Sequence, residues 1–328
     1  MATGLLQEAA GGREMSGGTD VAFRWDVVAA GDEGPGPRSR HCLVYDAGAR
    51  ATVLFGGIVW IGEGSLRADT WELRGGRWSP VECDEHPPAR HRGAMTYDAS
   101  RGHAVLFGGH SWLNGFFRDT WTYAQGSWRR WRAGWWGRQP SPRCGHCMAY
   151  DEEIGAVVLF GGIDPSDRPL GDTWLFDGAA WKPVSGKAPE ARRYAAFAYH
   201  AGLKGCVLHG GAEDDRGRRT FGDAWLFRAG VWTRMAGGFD TDARDDHGMA
   251  YHRAARRLVM LEGVAGARGL LVQGAHGWRT AAVEPLHPRH QCSPLTWDDT
   301  LAGLVLHGGE FHHGGPQLDV TQVLRLSG

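Results

Sequence analysis

Three histidines occupy the same position in segments that recur along this chain. His41, His146 and His247 each lie three residues after an arginine and four residues before a tyrosine. Imidazole nitrogens are common ligands of Zn, Cu and Fe(II), and three of them leave a coordination position open for water, oxygen or substrate. Such a site requires that the fold bring the three segments to one point, so the elements that carry the histidines decide whether it can form.

These segments belong to a repeat of about 50 residues. Each copy contains an apolar run that ends in glycine, as in ATVLFGG (51–57) and HAVLFGG (103–109). The last glycines of the copies are residues 57, 109, 162, 211, 263 and 309. Self-similarity at this period indicates a ring or array of identical supersecondary units rather than separate domains.

Each unit is predicted to contain four strands. The continuous apolar run indicates a second strand that is buried on both faces. The first strand is predicted to run from the arginine to an aromatic residue, in the segments 38–45, 90–97, 143–150, 192–199 and 244–251, and His290 to Trp297 keeps this spacing in the sixth unit. The third strand carries Asp-Thr-Trp or Asp-Ala-Trp, at 69–71, 119–121, 172–174 and 223–225. The fourth strand carries one tryptophan, at Trp78, Trp128, Trp181, Trp232 or Trp278.

The sixth unit ends after three strands, because the chain stops at Gly328. The segment AFRWDVV (22–28) has the pattern of the missing fourth strand, and pairing it with the last unit would remove two open sheet edges. We therefore predict one all-β domain over residues 21–328, with residues 22–29 completing the last blade. Residues 1–20 are predicted to be a flexible tail.

The repeated motifs resemble the kelch-repeat family, in its bacterial variant with a VLFGG…DTW…W pattern, over about residues 22 to 326. The resemblance implies a six-bladed β-propeller, similar to the propeller of galactose oxidase. It implies no single function, because kelch-like propellers also include plant specifier proteins, sialic acid mutarotases and substrate adaptors of ubiquitin ligases.

In a propeller the first strands line the central channel, and alternate blades are about 120° apart. The three histidines lie in alternate units, and the units between them carry Gly93, Ala195 and Ser293 at the same position. We therefore predict that one transition metal ion, copper or iron in preference to zinc, is bound on the axis. The alternative is three separate channel-wall histidines, each hydrogen-bonded to a neighbouring blade or to water.

Other polar residues follow the second strands at the same end of the predicted channel. His209 and His307 precede the paired glycines of their units, and His110 and Glu310 follow them. These four residues are candidate catalytic groups, since they could supply a fourth ligand, orient a ligand ring or transfer a proton.

Aromatic residues outside the repeat positions cluster in loops at this mouth. We predict that they bind substrate, although a loop folded on itself or a dimer contact would explain them equally. The residues are Trp60, Trp112, Phe116, Trp135 and Trp136. Two of the arginines that begin the first strands, Arg90 and Arg143, are further candidates for binding substrate. The alternative is that they form hydrogen bonds between blades.

Composition excludes several classes of protein. The 36 Lys and Arg residues balance 37 Asp and Glu residues, so a nucleic-acid-binding surface is not expected. No apolar run approaches 18 residues, and the N-terminus lacks the apolar stretch of a secretory signal. The six cysteines are expected to be free thiols in a cytoplasmic protein.

The sequence therefore predicts a metal-dependent enzyme, an oxidoreductase or oxygenase that acts on a small molecule or a peptide. Two alternatives remain at this stage. One is a kelch module that binds a peptide or protein without catalysis, and the other is a metal-free sugar isomerase.

Overall fold

The computed structural model describes residues 22–31, 34–60, 65–134, 137–214, 219–261, 270–284, 292–310 and 316–327. Six antiparallel sheets of four main strands form the blades of a propeller. The first strands of consecutive blades contact one another, and the first strand of blade 6 contacts that of blade 1, so the ring is closed. The predicted all-β, six-bladed architecture is confirmed.

The strands occupy equivalent positions in the blades. The first strands are Cys42–Asp46, Ala94–Asp98, Cys147–Asp151, Ala196–His200, Met249–His252 and Thr296–Asp298. The second strands are Ala51–Phe55, His103–Phe107, Ala156–Phe160, Gly205–His209, Arg257–Met260 and Gly303–His307. The third strands are Thr70–Arg74, Thr120–Ala124, Thr173–Phe176, Ala224–Arg228, Leu270–Gly274 and Val320–Leu326. The fourth strands are Arg77–Val81, Ser127–Trp131, Trp181–Val184, Val231–Arg234, Gly277–Ala281 and Phe23–Ala30.

The N-terminal strand Phe23–Ala30 closes the ring as the fourth strand of blade 6. It pairs antiparallel with Val320–Leu326, in a register that places Trp25 opposite Leu324. The short strand Val283–Glu284 pairs parallel with its outer edge. The predicted closure by an N-terminal strand is therefore confirmed, whereas the proposed tail at residues 1–20 lies outside the described residues.

Each first strand begins later than the sequence predicted. In blades 1 to 4 the arginine at the expected start lies four residues before the strand, as Arg38 does before Cys42, and in blade 5 it lies five residues before. The residue two positions after the arginine has a positive φ, for example 54° at Arg40, which interrupts the extended backbone. The segment between arginine and strand is therefore a loop at one end of the channel.

Tryptophans hold neighbouring blades together. The indole nitrogen of Trp128 in blade 2 donates a hydrogen bond to the Thr70 hydroxyl of blade 1, at 2.9 Å. Three more fourth-strand tryptophans bond a threonine at or next to the start of the third strand of the preceding blade, in the pairs Trp78–Thr321, Trp181–Thr120 and Trp232–Thr173. Each buried indole thus satisfies its polar group across a blade interface.

Two short hairpins extend the loops between second and third strands. Ile58–Val59 pairs with Ser65–Leu66 in blade 1, and His110–Ser111 pairs with Gly115–Phe116 in blade 2. Both loops lie at the end of the channel where the first strands begin, which we call the mouth. None of the described segments forms a long apolar helix of the kind that crosses a membrane.

We expect loss of the Trp25 side chain to weaken ring closure. Trp25 is 8% exposed and belongs to the core that joins blades 5 and 6. Removal of a buried indole costs about 3–5 kcal/mol, so Trp25→Ala should lower the free energy of unfolding by that amount in urea titrations. Val27 in the same strand is 54% exposed, so Val27→Ala should change it by less than about 0.5 kcal/mol. Equal effects of the two substitutions would contradict the closing role.

Candidate functional site

A closed circle of backbone hydrogen bonds surrounds the mouth of the channel. Each blade contributes one residue with φ between 51° and 64°. The N–H of each of these residues donates to the carbonyl oxygen of its counterpart in the preceding blade, over 2.8–3.1 Å, and the N–H of blade 1 returns to blade 6. The six residues, which we call the mouth ring, are Arg40, Arg92, Gly145, Tyr194, Asp246 and Cys292.

The mouth ring opens onto a cavity of about 150 Å³ on the propeller axis. The residues that follow the mouth ring also line this cavity, so the structure brings the six aligned positions together as the repeat predicted. They are His41, Gly93, His146, Ala195, His247 and Ser293. The entrance is lined by two guanidinium groups, a phenol, a carboxylate and a thiol, with no side chain at Gly145.

His41, His146 and His247, predicted to bind a metal ion on the axis, all line the axial cavity, but their rings pack toward the blade interfaces. Each ring lies against a different blade interface: the His247 ring 5.2 Å from that of His209 and the His146 ring 5.5 Å from that of Phe107, centroid to centroid. The His41 ring is 6.0 Å from the His307 ring of blade 6. Among the described residues, no group of three or more His, Cys, Asp or Glu side chains could hold a metal ion.

Two of the candidate catalytic histidines cross-link blades instead of facing the cavity. The Nδ1 atom of His209 is 3.1 Å from Nε2 of His247 in the next blade, and its Nε2 is 3.1 Å from the Thr241 hydroxyl. His307 uses Nδ1 to bond the Thr321 hydroxyl and Nε2 to bond the carbonyl oxygen of Gly36. Both rings are at most 1% exposed, so the geometry gives them a packing role.

Burial keeps these histidines neutral. It lowers the pKa of His146 to about 3, with the Arg143 guanidinium as the next cause. Burial, followed by the charge of Arg244, also lowers the pKa of His209 to about 3. The pKa values of His41 and His247 are lowered in the same way, by burial and then by the neighbouring histidines. Protonation of any of these rings therefore opposes folding.

Arg90 and Arg143, predicted to bind substrate, are buried and form ion pairs within their own blades. The Arg90 guanidinium makes two hydrogen bonds to Asp119, of 2.7 and 2.8 Å, and a third to the carbonyl oxygen of Gly108. Burial raises the pKa of Asp119, but the hydrogen bonds and charge of Arg90 outweigh this and keep it below its usual value. The same arrangement recurs in the pairs Arg38–Asp69, Arg143–Asp172 and Arg192–Asp223. Each arginine therefore ties its first strand to the third strand of its own blade.

Exposed apolar side chains gather at the mouth beside this frame. Trp60 and Trp112 occupy equivalent positions in blades 1 and 2, and their ring centroids are 6.3 Å apart. Trp60 is 40% exposed, Trp112 is 50% exposed, and Leu113 at the loop tip is 95% exposed. We call these three residues the mouth patch. The sequence predicted the two tryptophans as binding residues, but nothing in the repeat pattern singled out Leu113.

A buried polar network holds Trp60 in place. The Glu310 carboxylate is fully buried and accepts hydrogen bonds from the Trp60 indole, at 3.2 Å, and from the Ser39 hydroxyl, at 2.6 Å. It also forms an ion pair with Arg40, whose guanidinium lies 5.7 Å from the Trp60 ring centroid. Glu310, predicted as a catalytic residue, thus positions a residue of the mouth patch.

Imidazole rings support Trp112 from one side. The His91 ring is 5.7 Å from the Trp112 ring, and its Nε2 is 3.2 Å from Nδ1 of His110. Burial, then the guanidinium of Arg92, and then His110 and Arg40 lower the pKa of His91 to about 2. Phe116 packs against His110 at 4.8 Å. His110 and Phe116, predicted as catalytic and substrate-binding, therefore support the loop that carries Trp112.

Several residues of the mouth were not expected from the sequence. Tyr194 lies over Gly145, where a Cβ would be 2.4 Å from its ring, and the Arg92 guanidinium is 4.5 Å from the ring centroid of Tyr194. No sequence signal marks the mouth ring, because the position two residues after each repeated arginine varies and so does the position before it. The predicted binding residues Trp135 and Trp136 lie outside the described residues.

Comparison with known proteins agrees with the architecture. The model of the KLHDC2/KLHL20/DRC7 Kelch-repeats domain matches residues 50–261. An F-box/kelch-repeat protein of Arabidopsis thaliana is 31% identical over 153 residues, which are 40% of this chain and 30% of that protein. Dynein regulatory complex subunit 7 of Chlamydomonas reinhardtii is 38% identical over 79 residues, 23% of this chain and 7% of that protein. The chain thus spans less than a third of the length of these relatives.

The fold is also similar to that of a solved structure. The structure of YjhT superposes with a TM-score of 0.66 over 90% of this chain and 99% of that one, at 13% sequence identity. A likeness at this level of identity concerns the architecture of the propeller.

We expect Arg90 to contribute to stability. Removing one partner of a buried ion pair leaves the other charged group without compensation, which costs about 3–5 kcal/mol. Arg90→Met should therefore lower the free energy of unfolding by that amount in urea titrations. The double variant Arg90→Met/Asp119→Asn should recover part of the loss, since it removes the stranded charge. Full stability of Arg90→Met would contradict the structural assignment.

The buried imidazoles predict a loss of stability in acid. His146 has a pKa of about 3 in the folded protein against about 6.5 in the unfolded chain, so below pH 6.5 the unfolded chain binds more protons. This single ring should cost about 2 kcal/mol of stability between pH 8 and pH 5. In urea titrations at pH 8 and pH 5, the fall in the free energy of unfolding between the two pH values should be smaller by about that amount in His146→Gln than in the wild type. An unchanged pH dependence would contradict burial of a neutral ring.

Proposed function

Since the chain belongs to the kelch-repeat family, we propose that it is a protein-binding module that holds a peptide segment of its partner at the mouth patch. The observation that carries this proposal is the exposure of two tryptophans and a leucine on adjacent loops beside the axial cavity. Exposed apolar clusters rimmed by polar groups are typical of protein-binding sites. Members of this family typically bind proteins.

The contacts that hold the two tryptophans of the mouth patch in place favour a role in binding a partner. Trp60 is fixed by Glu310, and Trp112 packs on His91, so both indoles are held with one face open. A rigid aromatic side chain loses little conformational entropy on binding, which is why tryptophan is enriched among the residues that dominate interface energies. The two rings, 6.3 Å apart and inclined by 55°, offer a surface for an apolar side chain of the partner.

The axial cavity next to the patch would receive polar groups of the bound segment. Its entrance carries Arg40, Arg92, Tyr194 and Asp246, so it presents both hydrogen-bond donors and acceptors. A convex apolar patch beside a small polar cavity resembles the arrangement of an apolar anchor with orienting hydrogen bonds. The transition metal and the oxidoreductase chemistry expected from the sequence remain untested predictions that this site does not require.

Selection of peptides from a displayed random library tests the proposal. Peptides enriched on the wild-type protein should bind the Trp112→Ala/Leu113→Asp variant at least about tenfold more weakly in calorimetric titrations, because loss of a central apolar contact costs more than about 1.4 kcal/mol. The matched control is Val231→Asp, since Val231 is 62% exposed on the fourth strand of blade 4. Enrichment of the same peptides on the double variant, or an equal loss in the control, would contradict the proposal.

A further inference from the structure

A second recess lies on blade 1, away from the axis. Its volume is about 360 Å³, and it is formed where the third strand begins and the fourth strand ends. We call it the outer groove. It is lined by Ala68, Asp69, Thr70, Trp71, Pro80, Val81, Glu82, Cys83 and His86.

The outer groove combines an indole with carboxylates. Trp71 donates its indole N–H to Asp69 at 2.8 Å, which fixes the ring beside the carboxylate. Glu82 lies in the same lining, and the loop that follows it carries the exposed residues Asp84 and Glu85. A ring face next to negative charges is the combination that attracts lysine ammonium and arginine guanidinium groups.

Blade 2 shows how an equivalent groove is filled within the same molecule. Trp121 donates its indole N–H to Asp119 in the same way, at 2.7 Å. The residue paired with Trp121 on the fourth strand is Arg130, whose guanidinium lies 5.9 Å from the Trp121 ring centroid. In blade 1 the residue paired with Trp71 is Pro80, so this blade has no cation of its own at that register.

The exposure of the aspartates follows this difference. The Asp119 side chain in blade 2 is 9% exposed, whereas the Asp69 side chain in blade 1 is 38% exposed. The other two blades with this ion pair agree. The aspartate is 17% exposed in blade 4, where Arg234 holds the register, and 41% exposed in blade 3, where Pro183 does. The aspartate is therefore less exposed where the fourth-strand residue opposite the tryptophan is an arginine, and more exposed where that residue is a proline.

Blade 1 differs from blade 3 by a second carboxylate. Glu82 immediately follows the fourth strand of blade 1, and the corresponding residue of blade 3 is Ser185. In blade 2 the corresponding residue is Arg132, of opposite charge. Among blades 1 to 4, blade 1 is thus the one whose tryptophan–aspartate pair has no arginine opposite it on the fourth strand and has an added negative charge beside it.

We propose that the outer groove binds a lysine or arginine side chain of a protein partner, in the position that Arg130 occupies in blade 2. The cation would lie against the Trp71 ring, close to Asp69 and Glu82. The exposed acids of the adjoining loop favour a partner segment that is basic around this side chain. This contact is separate from the mouth patch and does not depend on it.

The indole N–H resonance of Trp71 in nitrogen–proton NMR spectra reports on this groove. Titration with a capped Gly-Arg-Gly peptide should shift that resonance with a millimolar dissociation constant, and capped Gly-Gln-Gly should not. Trp174 serves as the internal control, because blade 3 lacks the second carboxylate, and its resonance should move less. No shift of Trp71, or equal shifts with both peptides, would overturn the proposal.

Two variants test the chemistry without exposing the core. Pro80→Arg reproduces the residue of blade 2 and should weaken peptide binding at least about tenfold, because the groove is filled from within. Glu82→Arg changes an exposed residue and should weaken binding similarly by removing negative charge and adding positive charge. Binding that persists in Glu82→Arg would overturn the proposal even if Pro80→Arg failed to fold. The mouth variant Trp112→Ala/Leu113→Asp should bind the peptide like the wild type.

Discussion

The mouth ring is the constraint on which the arrangement of this propeller depends. Six peptide groups form a closed circle of hydrogen bonds, and each requires a backbone conformation that costs a residue with a Cβ about 1 kcal/mol. Only Gly145 among the six escapes this cost. The circle fixes the distance of every first strand from the axis, and it can close only if all six blades are present. The N-terminal strand completes blade 6 separately, by pairing with the third strand of that blade.

The same constraint decides which side chains face the axis. A left-handed residue turns the chain, so its own side chain is displayed at the entrance while the next residue is directed back toward the preceding blade. His41, His146 and His247 are those next residues, and each fills a space beside a blade interface. The alternation of histidine with Gly93, Ala195 and Ser293 therefore reflects how each blade packs against the preceding one. The prediction of a shared metal ion rested on the alternation of these residues and did not include this turn of the backbone.

The fold could be predicted because its determinants repeat. Spacing of the glycine pairs gave six blades, and the orphan strand around Trp25 gave the closure, since both follow from counting units along the chain. The alternating histidines repeat too, but the direction of a side chain depends on φ at the preceding residue, and φ cannot be read from residue type when Arg40, Tyr194 or Asp246 adopts a conformation typical of glycine. The exposure of Leu113 likewise depends on the path of the loop between the second and third strands of blade 2, which the repeat pattern does not specify.

Binding chemistry on such a scaffold arises from substitutions at fixed registers. The tryptophan–aspartate pair is present in blades 1 to 4, where its aspartate binds the buried arginine. The outer side of the pair can therefore contact the residue opposite it on the fourth strand. Arg130 satisfies that side internally, whereas Pro80 leaves it open without altering the ion pair beneath. Because the tryptophan–aspartate pair is the same in both blades, one residue on the fourth strand decides whether an arginine of the protein covers it or a partner can bind it. The stability of the propeller and the identity of its partners are therefore set by different positions of one repeat.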